Sequence, residues 1–304
     1  MEVPKLTLLS NDQIWGDTAL EVIQKYGTRA AISDLCVLTG GYLCKDTNYN
    51  VFDSSLSELK GRSGWYWTST ILDECIAVIN PKIIYPDDED TDALDFYARD
   101  ASIRPVIASK ELYHKLEKRK TEGYNGTYEV EYGEYPQWTA SSEMQEKLEV
   151  KLQKGMLNKT GKTYTLGTYH DPGYIAYEEY EYLGKKYIRI QATPALSIAF
   201  KLSNKVKYRD GDFVWVEVSP VKWLLDEKTQ TLISKIGLVG GIQFISSKKD
   251  DTGKFEDSNM NRYLQSHLAK ELVPSVVVKE ETTTKKTRLD RLNPDTSNKK
   301  ERRN

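Results

Sequence analysis

The sequence predicts an α+β domain. Three adjacent aromatics, Trp65-Tyr66-Trp67, run into Thr68-Ser69-Thr70, a stretch of residue types that suit a pleated, half-buried strand. A second β-rich run between 182 and 234 alternates apolar and polar residues, most cleanly at Val214-Trp215-Val216-Glu217-Val218. Helical periodicity is confined to separate short stretches near 12–26, 141–154 and 258–271.

The totals bound this further. With 304 residues the chain is long enough for one large domain or two ordinary ones. Its 20 Tyr and 6 Trp place much of the core on aromatics whose hydroxyl and indole groups need partners. The net charge of −2 provides no whole-chain field for nucleic acid or membrane. Cys36, Cys44 and Cys75 show no Cys-x-x-Cys spacing and read as free thiols in a reducing compartment. The start of the chain lacks the basic-then-apolar pattern of a signal peptide, and no apolar run reaches the roughly 18 residues that a spanning helix needs. The expectation is a soluble, cytoplasmic protein.

Taken in order, Lys5–Leu9 reads as a short strand, and Ser10-Asn11-Asp12 offers a cap for a helix over 12–26 that Gly27 ends. Segment 31–38 is a helix or a buried strand, stopped by Gly40-Gly41. After the 65–70 strand, 71–79 is a further strand or strand pair. Asp87-Asp88-Glu89-Asp90 is an acidic loop, and 96–107 returns to strand. Residues 110–122 are a charged helix, Gly123–Gly126 a turn and Tyr128–Tyr132 an alternating strand. A helix over 141–154 shows Met144, Leu148 and Leu152 on one face. The Tyr- and Gly-rich 155–180 is an insertion or a hairpin arm. Tyr182–Ile190 is a hairpin about a Gly-Lys turn, and Val221–Asp226 and Thr231–Ser234 flank a four-residue turn. Asp257 or Ser258 caps a helix to about 271 with Met260, Tyr263, Leu264, His267 and Leu268 inward. Residues 279–304 hold nine Lys/Arg against five Asp/Glu with almost no apolar residues, the composition of a disordered basic tail.

The strand motifs resemble a bacterial and phage-associated family of unknown function with the C-type-lectin-like fold, related to formylglycine-generating-enzyme-like domains. Gly133-Glu134-Tyr135-Pro136-Gln137 is similar to the opening step of that family. Pro220-Val221-Lys222-Trp223-Leu224-Leu225 and Leu232-Ile233-Ser234 are similar to its early strands, and Asn259–His267 to its helix. Leu8-Leu9-Ser10 is similar to its middle segment, while Trp65-Tyr66-Trp67-Thr68-Ser69 and Arg104-Pro105-Val106-Ile107 are similar to its closing strands. The closing pieces come first in this chain. The resemblance therefore implies a mixed or antiparallel sheet with two flanking helices, in a circularly permuted motif order. Residues 1–110 form the closing half, 111–131 a connector, and 132–278 the opening half with an insertion at 155–181. Two half-domains are the rival. The structural motif positions are Trp65, Trp67, Arg104, Pro105, Tyr135, Pro136 and Trp223.

Chemistry is sparse. The cysteine pair of formylglycine-generating relatives has no counterpart after Arg104, and the calcium motifs of sugar-binding relatives are missing. Asp87–Asp90 lacks the glycine-spaced loop of a calcium site, and His114, His170 and His267 share no metal spacing. Gly237–Gly241 reads as a turn or bulge and Trp65–Trp67 as core, while Arg104 suits a structural ion pair. The expectation is a non-enzymatic binding protein, without cofactor or metal, that shows loops to a protein or glycan partner. Tyr49, Asn50, Phe52, Tyr85 and Asp87 are its contact candidates on a loop face made of 42–62, 80–95 and 240–256, and the Tyr-rich 164–182 is a second surface. The family association implies a phage- or prophage-encoded protein. A degenerate enzyme in the same cleft and a nucleic-acid-associated protein acting through the tail are the alternatives.

Overall fold

The structure is a computed structural model that describes residues 3–43, 63–72, 75–79, 93–195, 202–246 and 252–274. It is α+β, with mostly antiparallel sheets and few helices. In chain order the strands are β1 (Leu6–Thr7), β2 (Ala30–Ile32), β3 (Ser63–Gly64), β4 (Tyr66–Ile71), β5 (Cys75–Ile79), β6 (Ala93–Asp95), β7 (Val106–Ile107) and β8 (Thr121–Glu122). They continue as β9 (Tyr128–Thr139), β10 (Asn158–Leu166), β11 (Ile175–Tyr182), β12 (Lys185–Gln191), β13 (Phe213–Asp226), β14 (Thr231–Ser234) and β15 (Ile236–Gly237). Among the described residues, no helix is long and apolar enough to cross a membrane.

β13 is the spine. One flank pairs with β9 from Val216↔Thr139 to Leu225↔Tyr128. The other flank is shared: its first half pairs with β12 and its last four residues with β14. The nine-stranded sheet therefore forks beyond β13, into a branch β12-β11-β10 and a branch β14-β7-β1. The Arg-Pro segment supplies β7, which lies in the same sheet as the Tyr135-Pro136 strand, three steps away through β14 and β13. Two smaller sheets, β15-β2-β3 and β4-β5-β6, complete the strands.

Several expected elements change on folding. The expected helix over 12–26 is two helices, α1 (Asn11–Trp15) and α2 (Glu21–Tyr26). The break falls at Gly16, whose N–H returns to the Asp12 carbonyl, and a Cβ there would stand 2.0 Å from the Asp12 carboxylate. Ser10 caps α1 with Gln13 in a reciprocal capping box. Segment 31–38 is both strand and helix: β2 passes through the cap Ser33 into α3 (Asp34–Leu38). Residues 96–107 are not one strand, since β6 ends at Asp95 and only Val106–Ile107 rejoins the main sheet. The charged helix is α4 (Lys110–Leu116).

The strand at 128–132 continues to Thr139, because Gly133 at φ +73 forms a bulge instead of a stop. Likewise 214–218 and 221–226 are one strand. Pro220 is tolerated inside it because the register shifts between Pro220 and Lys222. α5 (Ser142–Gln153) lays Leu148 on Trp215, with Met144 and Leu152 only partly covered. The stretch at 155–181 is the hairpin β10–β11, continuous with the main sheet.

The C-terminal helix runs through Asn259–Tyr263, a π-helical stretch Leu264–Leu268 and a last turn Ala269–Glu271. Met260, Tyr263, Leu264 and Leu268 are buried as expected. His267 departs from that set and is only half-buried, stacked between Tyr174 and Tyr263.

The main core lies between the forked sheet and this helix, and a second core lies under α1 and α2 against Leu224 and Ile233. Asp226 joins α2 to the β13–β14 turn. Its carboxylate accepts from Val22 N at 3.0 Å and from Thr229 N at 2.8 Å. The β11–β12 hairpin turns on Leu183 (φ +53) and Gly184 (φ +76). A leucine there is strained by about 1 kcal/mol, and it is 75% exposed with no packing to compensate. Leu183→Asn is expected to raise stability by about 0.5–1 kcal/mol in urea denaturation; no gain would mean that the turn relaxes.

Candidate functional site

The predicted contact residues Tyr49, Asn50, Phe52, Tyr85 and Asp87 lie outside the described residues, as do Cys44, Asp88–Asp90 and the basic tail. The structural motif residues are inside and mostly buried. Trp67 and Tyr66 are both fully buried on opposite faces of β4, and Trp65 packs partly buried beside Tyr42. Tyr135 and Trp223 are core, and the Trp223 indole donates to the Tyr132 carbonyl at 2.8 Å. Pro136 sits on β9 opposite Val218.

Arg104 is a correction. It is 1% exposed, yet among the described residues it meets no carboxylate. Its Nε donates to the Ser234 carbonyl at 2.9 Å, and Nη1 reaches the Thr28 carbonyl and the Tyr66 hydroxyl. Pro105 follows it, and the Pro105 carbonyl accepts from Ser234 N, so the pair fastens β7 to β14.

An open site exists on the outer face of the spine. α5 covers this face at Trp215, and α1 and α2 cover it at Leu224. Between the two layers a concavity of about 380 Å³ is lined by Arg119, Thr121, Glu129, Val130, Glu131 and Lys222. The strand pattern explains the lining. Lys222 interrupts the apolar run Val221-Lys222-Trp223 and points outward, directly across from Glu131. β8 is only two residues long and covers β9 only at Tyr128 and Glu129. Thr121 faces Glu129 in that pairing, and Arg119 ends the turn before it.

Charge within the site is unequal. Glu129 is tied inward, its carboxylate accepting from Lys235 Nζ at 2.5 Å, and both residues are nearly buried. That leaves Arg119, Lys222 and Glu131 exposed at the opening, two cations against one carboxylate. Neither Arg119 nor Lys222 has an ion-pair partner among the described residues. The site can hold an extended polar chain by charge and by backbone pairing along β9. The sequence signal for it was the lone lysine in an apolar strand.

A second cluster is buried beneath the C-terminal helix. Glu179 accepts from the Tyr164 hydroxyl at 2.7 Å and from Thr160 Oγ1 at 2.6 Å. Tyr135 stacks edge-on against Tyr164, and the Tyr263 hydroxyl donates to the Thr165 carbonyl at 2.8 Å. Burial pushes the Tyr135, Tyr164 and Tyr263 hydroxyls well above their usual range. Burial lowers His267, with Lys270 adding to the effect. Among the described residues, no group of three or more His, Cys, Asp or Glu side chains is placed to hold a metal. No protein-family model, curated protein or solved structure matches this chain.

Proposed function

We propose that this chain is a non-enzymatic binding protein that takes an extended segment of a protein partner on the charged shelf between α5 and α2. The observation that supports this reading most is the concavity itself. It lies where β8 stops and β9 continues, with Arg119 and Lys222 uncommitted at its opening. An added strand there would continue β8 along β9 up to Glu134, whose N–H is taken by the Leu272 carbonyl, and gain main-chain hydrogen bonds over that stretch. The two cations would select a carboxylate on the incoming segment. The permuted C-type-lectin-like scaffold belongs to the same proposal. It is supported by the shared sheet of the Arg104-Pro105 and Tyr135-Pro136 strands.

The test is affinity capture from the source cell with the full chain, wild type beside Arg119→Glu/Lys222→Glu. Both side chains are exposed, so the double variant should keep its stability within about 0.5 kcal/mol for each site. Its capture of the wild-type partner is expected to drop tenfold or more. A partner retained equally by both proteins would overturn the assignment of the shelf.

A further inference from the structure

The C-terminal helix closes three strand edges with its side chains and its last carbonyls. Gln265 donates to the Leu6 carbonyl of β1. The Leu272 carbonyl accepts from Glu134 N of β9 at 2.9 Å, and the Val273 carbonyl accepts from Lys162 Nζ at 2.7 Å. On β10, Thr165 is held at both ends. Its N–H donates to Glu271 Oε1 at 2.7 Å, and its carbonyl accepts from Tyr263. A strand edge left open invites another strand, so this covering is a protective device. Gly133 makes room for it, since a Cβ there would stand 2.7 Å from the Leu272 carbonyl oxygen.

Glu271 is the weak member of this closure. It is 7% exposed, and its Oε2 has no hydrogen-bond partner. The Tyr135 hydroxyl nearby is likewise buried, against the Tyr263 hydroxyl. We propose that the last turn of the helix, Ala269–Glu271 with Leu272 and Val273, is a pH-set latch. It is closed on β9 and β10 while the Glu271 carboxyl is neutral, and it is released when that carboxyl ionises.

The groups facing Glu271 agree. From β10 come Lys162, Tyr164 and Thr165 and from β9 Tyr135, while Glu134, Glu179 and Lys186 stand behind them and act on Lys162. Tyr263, His267 and Lys270 share its own helix. Lys162 is the cation among these that favours the ionised carboxyl, and burial disfavours its own charge. Desolvation therefore prevails, and the Glu271 carboxyl is raised from 4.5 to about 7. For an acid raised in the closed state, closure is fully present below about 4.5 and is lost as the pH climbs through about 7. The interval corresponds to a roughly 300-fold weakening of closure. The chain beyond the latch carries the nine basic residues of 279–304, so release would also free the root of that segment.

Amide hydrogen exchange on the full chain between pH 4.5 and 8, corrected for intrinsic rates, reads the latch at Thr165 N and Glu134 N. Protection at both is expected to drop by up to about 300-fold across the range, while Leu224 in the spine holds steady. Glu271→Gln is expected to flatten the profile, and His267→Gln to leave it as in the wild type. A flat wild-type profile, or an equal decline in Glu271→Gln, would overturn the latch. Loss of the decline in His267→Gln would transfer the switch to the histidine and overturn it equally.

Discussion

Replacing Asp34 by Ala is expected to cost about 4 kcal/mol. Asp34 opens α3 and is completely buried. Its Oδ2 accepts from Thr139 N at 2.9 Å and from Thr139 Oγ1 at 2.8 Å. It accepts again from Ser203 N at 3.1 Å and from the Ser203 hydroxyl. One carboxylate thus fastens α3 to the end of β9 and to the loop after β12, segments 105 and 169 residues distant along the chain. Removing it leaves two backbone N–H groups without their acceptor, and each orphaned donor costs about 1–3 kcal/mol. Against a total stability of about 5–15 kcal/mol, that is a large share. Asp34→Asn keeps one acceptor oxygen but turns an NH₂ toward groups that are themselves donors, so a cost of about 2 kcal/mol is expected. Urea denaturation measures both through the midpoint at unchanged slope. A loss below about 1 kcal/mol in Asp34→Ala would show that water replaces the carboxylate and that the three segments hold without it.

What could be read from the sequence was local. Ser10, and Ser258 as one of two candidates with Asp257, announce helix starts because a hydroxyl before an apolar repeat satisfies N–H groups within three residues, and both serve as caps. The aromatic stretch at 65–70 and the alternation at 214–218 place strands correctly because side-chain alternation needs no partner to be visible. What was illegible depends on residues far apart. Gly133 and Pro220 look like stops until β9 and β13 are laid together, when each sits at a bulge of one continuous pair. The 155–180 segment reads as an insertion or a hairpin arm; the hairpin is what forms, and its place in the main sheet shows only when β11 is matched with β12. Arg104 looked set for a carboxylate. Its partners are carbonyls at 28 and 234, which no side-chain pattern encodes. Of the candidate shelf only Lys222, the lone lysine in an apolar strand, was visible, since Arg119, Glu131 and Lys222 meet only after the sheet has formed.

Gly241→Ala is expected to be the most damaging single methyl in the molecule. Three stretches of chain cross at this point: the end of α3 through Gly41, the residue after β10, Gly167, and the pair Gly240-Gly241 beyond β15. Gly241 has φ +74, a conformation costly for any residue with a Cβ, and its added carbon would stand 2.2 Å from the Thr39 carbonyl oxygen. The neighbours cannot yield separately. A Cβ on Gly167 would stand 2.2 Å from the Gly241 oxygen, and one on Gly240 would stand 2.4 Å from Gly41 N. Every obstacle to a Cβ on Gly240 or Gly241 is backbone, so relief requires moving α3 away from the segment that leads into the C-terminal helix. Both pack into the main core.

Overpacking alone costs about 1–3 kcal/mol, and the left-handed backbone adds about 1–2 kcal/mol. Together they bring the expected loss to about 4 kcal/mol, a large share of a total stability of about 5–15 kcal/mol. Gly161→Ala supplies the control. Its φ is +84, but nothing lies within 4 Å of the added carbon, so only the backbone cost of about 1–2 kcal/mol applies. Soluble yield and urea midpoints of the two variants, measured side by side, decide the matter. Equal losses would mean that the crossing opens readily and that the glycines are there for φ alone. A Gly241→Ala deficit larger by 2 kcal/mol or more would show that the close approach of three backbones holds the two ends of the chain to one core.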